Sequence, residues 1–194
     1  MLPENKFKQI YNPKSNRLKN YDYSNNGGYF ITICTKDREN YFGEILDGKM
    51  VLNEFGKIIE NEIKNIDNYN DFGFVDEFVI MPNHLHIIII IEGYDLCRDN
   101  SGIVSTYTDK SGIVSTNMLN RRNMLIPKII GKFKMLTSKH INILKKSIGN
   151  QLWQPNYYDR IIRNEDELKK IRKYILENPL KWEFDQNNDE NIFI

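Results

Sequence analysis

The stretch 72–92, FGFVDEFVIMPNHLHIIIIIE, decides how this chain is read. Phe72 to Met81 is rich in β-branched and aromatic residues and stops at Pro82, the signature of a strand. His84 to Glu92 resumes as a second strand after only a few residues around Met81-Pro82-Asn83, so the two are expected to pair antiparallel. The run Ile87 to Ile91 is strand-like and far short of the ~18 apolar residues of a membrane span. His84 and His86 stand two apart on this strand and therefore project from the same face.

Working outward, Tyr29 to Lys36 (YFITICTK) reads as another strand. Asp47-Gly48 between Ile45-Leu46 and Met50-Val51-Leu52 signals a hairpin. Asn53 is a suitable N-cap, and Phe55, Ile58, Ile59, Ile63 and Ile66 keep helical spacing to about Asn68. Pro127 suits the first turn of a helix whose apolar stripe is Ile126, Ile129, Ile130, Phe133, Leu136, Ile141 and Leu144, with His140 packed on or beside it. Trp153 to Arg163 (WQPNYYDRIIR) looks extended. Asn164 then caps a last helix, with Glu167 at the capping-box position and Leu168, Ile171 and Ile175 turned inward. Asn178-Pro179 ends it, because a residue before proline avoids helical backbone. Strands outnumber the crossovers a parallel sheet requires, so the class is α+β: a central antiparallel sheet with helices on one or both faces.

With 194 residues the chain fits one domain with some decoration. Hydrophobic residues make up 40% and charged residues 27%, an ordinary globular composition. The opening MLPENKFKQI lacks the apolar core of a secretory signal, and two cysteines, Cys34 and Cys97, exclude a disulfide scaffold and a four-cysteine zinc site. Both features lead to the expectation of a reducing cytoplasm and no membrane. SGIVST occurs at Ser101 to Thr106 and again at Ser111 to Thr116, a duplication expected to lie in a flexible surface insertion.

The net charge of +1 hides an uneven distribution. From Lys110 to Tyr158 there is no Asp or Glu, against nine Lys and Arg, while the remaining chain holds 18 basic and 26 acidic residues, a net of −8. A localised basic segment is the footprint of an anionic partner; a solvated helix face is the plainer alternative.

Paired imidazoles on one strand face suit a divalent cation, or else form a hydrogen-bonded pair at a sheet surface. A third ligand has to come from another element. Tyr174 and Asn178 share a helix face at i, i+4. The Asn178 amide oxygen can ligate a hard cation and the Tyr174 phenol can act as a nucleophile; each also has a plain reading, as helix terminator and as core tyrosine.

Taken together, VIMPNHLHIIII, WQPNYYDRIIRNEDEL, IRKYILENPLKW and the N-terminal YDYSNNGGYFITICTKDRENYFGEI resemble the single-tyrosine HUH transposases, in particular the REP-associated tyrosine transposase branch. The resemblance covers roughly residues 17 to 184 and leaves the SGIVST duplication outside. It implies a ferredoxin- or RRM-like antiparallel sheet. It places the His-hydrophobic-His motif on His84, Leu85 and His86, the metal ligands on His84, His86 and Asn178 with Mg²⁺ or Mn²⁺, and the catalytic tyrosine on Tyr174. It further implies a homodimer acting on single-stranded or hairpin DNA through a 5′-phosphotyrosine. The chain then divides into an N-terminal arm 1–28, a catalytic domain 29–184 with the insertion at 95–125, and an acidic tail 185–194. DNA contacts are expected from Arg121, Arg122, Lys128, Lys132 and Lys139, and from Lys169, Lys170 and Lys173 on the last helix. Trp153, Tyr157 and Tyr158 are candidates to stack on unpaired bases, with ordinary packing as the equal alternative. A hairpin-binding protein that does not cut, and an HUH-type nickase, are the competing readings.

Overall fold

The computed structural model describes residues 18, 21–93, 124–147 and 149–184. Elements follow in the order β1 (Gly27–Cys34), β2 (Gly43–Leu46), β3 (Lys49–Leu52), α1 (Glu54–Lys64), β4 (Gly73–Ile80), β5 (His84–Ile91), α2 (Leu125–Leu144), β6 (Tyr158–Ile162) and α3 (Glu165–Glu177), with short 3₁₀ turns between some of them. A four-stranded sheet runs β4-β5-β1-β6, and β2 and β3 form a separate hairpin. All neighbours in the main sheet are antiparallel. Thus β1 and β4 run parallel with β5 between them, as do β5 and β6 with β1 between them. This is the split βαβ arrangement of a ferredoxin-like sheet, and right-handed crossovers place α1 and α2 on the same side.

Period-two alternation sorts the side chains. Leu85, Ile87, Ile89 and Ile91 join Tyr29, Ile31 and Ile33 in the large core beneath α1 and α2, with Ile59, Ile63, Ile129, Ile130 and Phe133. Ile88 faces the other way and packs with Leu168, Ile171 and Ile175 of α3, flanked by Phe30 and Ile90. The strand is a nearly unbroken apolar run because helices cover it on both faces. His84 and His86 share the α3 side, since they are in phase with Ile88.

Local chemistry explains the elements. Asp47 (φ 50°) and Gly48 (φ 70°) supply the two positive-φ positions of the hairpin turn. Asn53 accepts a hydrogen bond from the Gly56 amide, which fixes the start of α1. Gly56 itself is required by packing: a Cβ there would lie 2.3 Å from the Phe42 carbonyl oxygen. On α2, the Lys134 ammonium donates to the carbonyls of Gln154, Pro155 (3.2 Å) and Asn156 (3.3 Å), which holds the loop leading into β6.

Several boundaries differ from those expected. Of the arm 1–28, residues 21–28 belong to the folded body: Tyr23 and Ser24 are buried. The Ser24 hydroxyl accepts from the Leu125 amide and the Tyr23 carbonyl accepts from the Ile126 amide, so this segment caps α2 from outside the helix. Met124 and Leu125 are likewise buried at the start of α2 rather than part of an insertion. The helix expected to reach Asn68 ends at Lys64 and continues as a 3₁₀ turn at Ile66–Tyr69. Asn164 does cap α3 through the Glu167 amide, but the Glu167 carboxylate accepts from the Arg163 amide, one residue earlier than a capping box requires. Asn178 keeps helical backbone (φ −58°, ψ −44°) despite the following proline; helix α3 stops there because Pro179 has no amide to donate onward. Extended pairing begins only at Tyr158, with Trp153 making a single bridge to Thr35. The SGIVST duplication, Arg121, Arg122 and the tail 185–194 lie outside the described residues. No helix among the described residues is long and apolar enough to cross a membrane.

Candidate functional site

Three of the residues singled out from sequence, His84, His86 and Tyr174, come together on the α3 face of the sheet. The His84 and His86 Nε2 atoms lie 3.1 Å apart. The Tyr174 hydroxyl is 3.2 Å from His86 Nε2. Asn178 is buried one helical turn beyond Tyr174, and its Oδ1 has no hydrogen-bond partner among the described residues. Four residues further on, Trp182 lies over the His84 ring with centroids 6.0 Å apart. The line Tyr174, Asn178, Trp182 therefore runs across the histidine pair, touching His86 at one end and His84 at the other.

Both imidazoles are almost fully enclosed, at 0% and 3% exposure. Burial, aided by the charge of Arg38, pushes the His84 pKa down to about 3, so this ring is neutral at ordinary pH. Its Nδ1 lies 2.9 Å from Asn83 Oδ1, which can only accept; His84 Nδ1 therefore carries the proton and Nε2 presents a lone pair. His86 Nδ1 lies 2.7 Å from the Thr32 hydroxyl, which can donate or accept. With Thr32 donating, His86 Nε2–H points at His84 Nε2 and Tyr174. With Thr32 accepting, the proton moves to Nδ1 and both Nε2 lone pairs face a common point. Two nitrogens each about 2.1 Å from one ion stand about 3.0 Å apart at a right angle and about 3.4 Å apart at a tetrahedral angle. The observed 3.1 Å fits that range. Among the described residues no three His, Cys, Asp or Glu side chains gather at metal-holding spacing. The Asn178 Oδ1, an amide oxygen without a partner among the described residues, is of a kind that can serve as a third protein ligand.

Three features hold the tyrosine helix in place. Leu168, Ile171 and Ile175 pack on Ile88. Arg172 forms a two-pronged ion pair with Asp76, which raises the pKa of the Arg172 guanidinium. Asp76 is available because a bulge between Val75 and Glu77 takes it out of register. Phe30 stacks on the His86 ring at 5.3 Å and meets Tyr174 edge-on at 6.0 Å. Thr32, Asn83, Phe30 and Trp182 carry no expectation as site residues, and Arg172, expected with Lys169, Lys170 and Lys173 to hold the DNA backbone, is paired with Asp76. Asn83 was visible beside the histidines, but the other contacts depend on strand register and helix docking, for which the sequence carries no local signal.

The expected DNA contacts divide. Lys169, Lys170 and Lys173 are exposed on α3, the same layer as the histidines; Lys173 lies 3.6 Å from Glu177. Lys128, Lys132 and Lys139 are exposed on α2, on the opposite side of the sheet. Of the basic segment, Lys134 is committed to the β6 loop and Lys145 sits over the Tyr41 ring at 4.7 Å. His140 Nδ1 lies 3.1 Å from Glu62 Oε1, away from the site. Trp153 is buried, its indole N–H donating to Thr137 Oγ1 at 2.9 Å, and Tyr157 packs against the core; only Tyr158 is open, at 52% exposure.

An uncharacterized protein of Haemophilus influenzae (strain ATCC 51907 / DSM 11121 / KW20 / Rd) is 38% identical over 179 residues, spanning 91% of this chain and 93% of that one. The two belong to one family. No family model matches the chain. Among solved structures, that of a REP-associated tyrosine transposase bound to a REP hairpin shares the fold, with TM-score 0.51 at 17% identity over 85% of this chain and 73% of that one. A Deinococcus radiodurans R1 protein described as a candidate transposase covers 84% of this chain and 98% of its own at 15% identity, with TM-score 0.43.

Proposed function

We propose that this chain is a transposase-like strand transferase that cleaves and rejoins single-stranded or hairpin DNA through a 5′-phosphotyrosine on Tyr174. The observation that carries the reading is the Tyr174 hydroxyl 3.2 Å from His86 Nε2, on a buried histidine pair, with Asn178 buried one helical turn further along and its amide oxygen without a partner among the described residues. The shared fold with a transposase bound to a DNA hairpin supports it.

A divalent cation, Mg²⁺ or Mn²⁺, held by His84, His86 and Asn178 would supply positive charge against the scissile phosphate. Asn83 and Thr32 orient the two imidazoles. Arg172 and the Ile171–Ile175 face hold Tyr174 against them. The Tyr174 oxygen forms the new bond to phosphorus and the bond to the 3′ oxygen of the preceding nucleotide breaks. The phenolic proton leaves to solvent, to which Tyr174 is 40% open, and the departing 3′ oxygen takes up a proton from water. A phenolate is a better leaving group than an alkoxide, so a free 3′-hydroxyl can reverse the step without ATP. Lys169, Lys170 and Lys173 beside the site offer backbone contacts; Lys128, Lys132 and Lys139 require the DNA to pass round the sheet edge. A homodimer and a cytoplasmic location complete the proposal.

The test is covalent capture. A labelled hairpin oligonucleotide with a single-stranded flank and Mn²⁺ should yield a protein–DNA adduct mapping to Tyr174 by mass spectrometry. Tyr174→Phe and His84→Ala should abolish it. An adduct on Tyr157 or Tyr158, or one that survives Tyr174→Phe, refutes the assignment; hairpin binding with no adduct leaves the non-cutting binder.

A further inference from the structure

We infer that Tyr158 is a base-stacking residue of the same site, holding an unpaired base of single-stranded DNA close to the cleaved phosphate. The inference rests on the strand-transferase reading and adds a specificity element to it. On β6, Tyr158 pairs in register with Thr32 of β1, and Thr32 pairs in register with His86 of β5. Residues opposite one another across a sheet project from the same face. Tyr158 therefore shares a row and a face with the histidine that Tyr174 touches. The packing agrees: Ile162, in phase with Tyr158, joins the α3 cluster, whereas Tyr157 and Ile161, out of phase, pack in the core beneath α2.

An exposed tyrosine is in itself ordinary. Here the ring stands at the open edge of the sheet, 52% exposed, and makes no side-chain hydrogen bond among the described residues. Two strand spacings of about 4.8 Å separate it from His86, roughly 10 Å in all. A stacked strand advances about 3.4 Å per nucleotide, so a base on Tyr158 lies within about three nucleotides of a phosphate at the histidines. Lys134 holds the loop just before β6, so the platform is fixed relative to the sheet. Stacking on an aromatic ring is sequence-tolerant and requires an unpaired base, which selects single strands over duplex.

Fluorescence anisotropy with a hairpin oligonucleotide carrying a single-stranded flank tests this, with a matching set in which each flank base in turn is abasic. Wild type should lose roughly tenfold in affinity at one abasic position near the cleaved phosphate. Tyr158→Phe should behave as wild type. Tyr158→Ala should lose the same factor on the intact strand and nothing further on that abasic strand, with an unchanged salt slope. Equal binding by Tyr158→Ala and wild type on the intact strand overturns the inference, as do losses that multiply. A fall in the salt slope also overturns it, since that marks a phosphate contact. Wild-type protein that binds no such oligonucleotide overturns the strand-transferase reading itself, and this one with it.

Discussion

Replacing Thr32 with valine removes one hydroxyl and keeps the side-chain shape. The hydroxyl lies 2.7 Å from His86 Nδ1, on a ring only 3% exposed, and the valine methyl takes its place. Thr32 is compatible with both tautomers of His86 because it can donate or accept; valine supports neither. A buried nitrogen left without its partner costs about 1–3 kcal/mol. Outer hydrogen bonds to metal-binding histidines typically change affinity by about 10–100-fold, or about 1.4–2.7 kcal/mol. Mn²⁺ titration followed by electron paramagnetic resonance should therefore show Thr32→Val binding about 10–100-fold more weakly than wild type, with Thr32→Ser restoring most of the loss. The fold should persist, since valine suits a strand at least as well as threonine. Valine-variant affinity within twofold of wild type, with circular dichroism unchanged, refutes the role of Thr32. Wild type that binds no Mn²⁺ removes the cation from the proposed function.

Burial holds His84 near pKa 3 in the folded chain against about 6.5 when unfolded, so the unfolded chain binds the extra proton between these values. Stability of the metal-free protein is then full above pH 6.5 and falls as pH drops toward 3, by up to ~1.4 kcal/mol per pH unit from this group. Urea titrations across that range should show the slope flatten in His84→Gln; an unchanged slope counts against it. Gly56→Ala should destabilise by at least ~2 kcal/mol in urea unfolding, although alanine favours helix by ~1, because its Cβ would meet the Phe42 carbonyl oxygen at 2.3 Å; equal or greater stability contradicts the packing. Tyr174 meets His86 of its own chain at 3.2 Å, so a mixture of Tyr174→Phe and His84→Ala proteins should form no DNA adduct. Recovery of adduct in the mixture means that the tyrosine is supplied by a partner chain.

Features that depend on near neighbours are legible in the chain alone. Period-two spacing put His84 and His86 on one face, helical spacing paired Tyr174 with Asn178, and Asp47-Gly48 and Asn53 marked a turn and a cap, all of which the backbone realises. These features follow from local geometry that any strand, turn or helix imposes. Which distant groups meet is set by strand register and helix docking. The β1–β5 register brings Thr32 to His86, the β4 bulge turns Asp76 to Arg172, and the docking of α3 sets Tyr174 on the histidines. The tertiary fold also separates the basic residues of α2 from the site by the thickness of the sheet, and distinguishes buried Trp153 from open Tyr158. Tyr23 and Ser24 passed for a polar arm for the same reason. Their partners at the start of α2 lie about a hundred residues away, and such a pairing is fixed by packing of the whole core rather than by any short pattern.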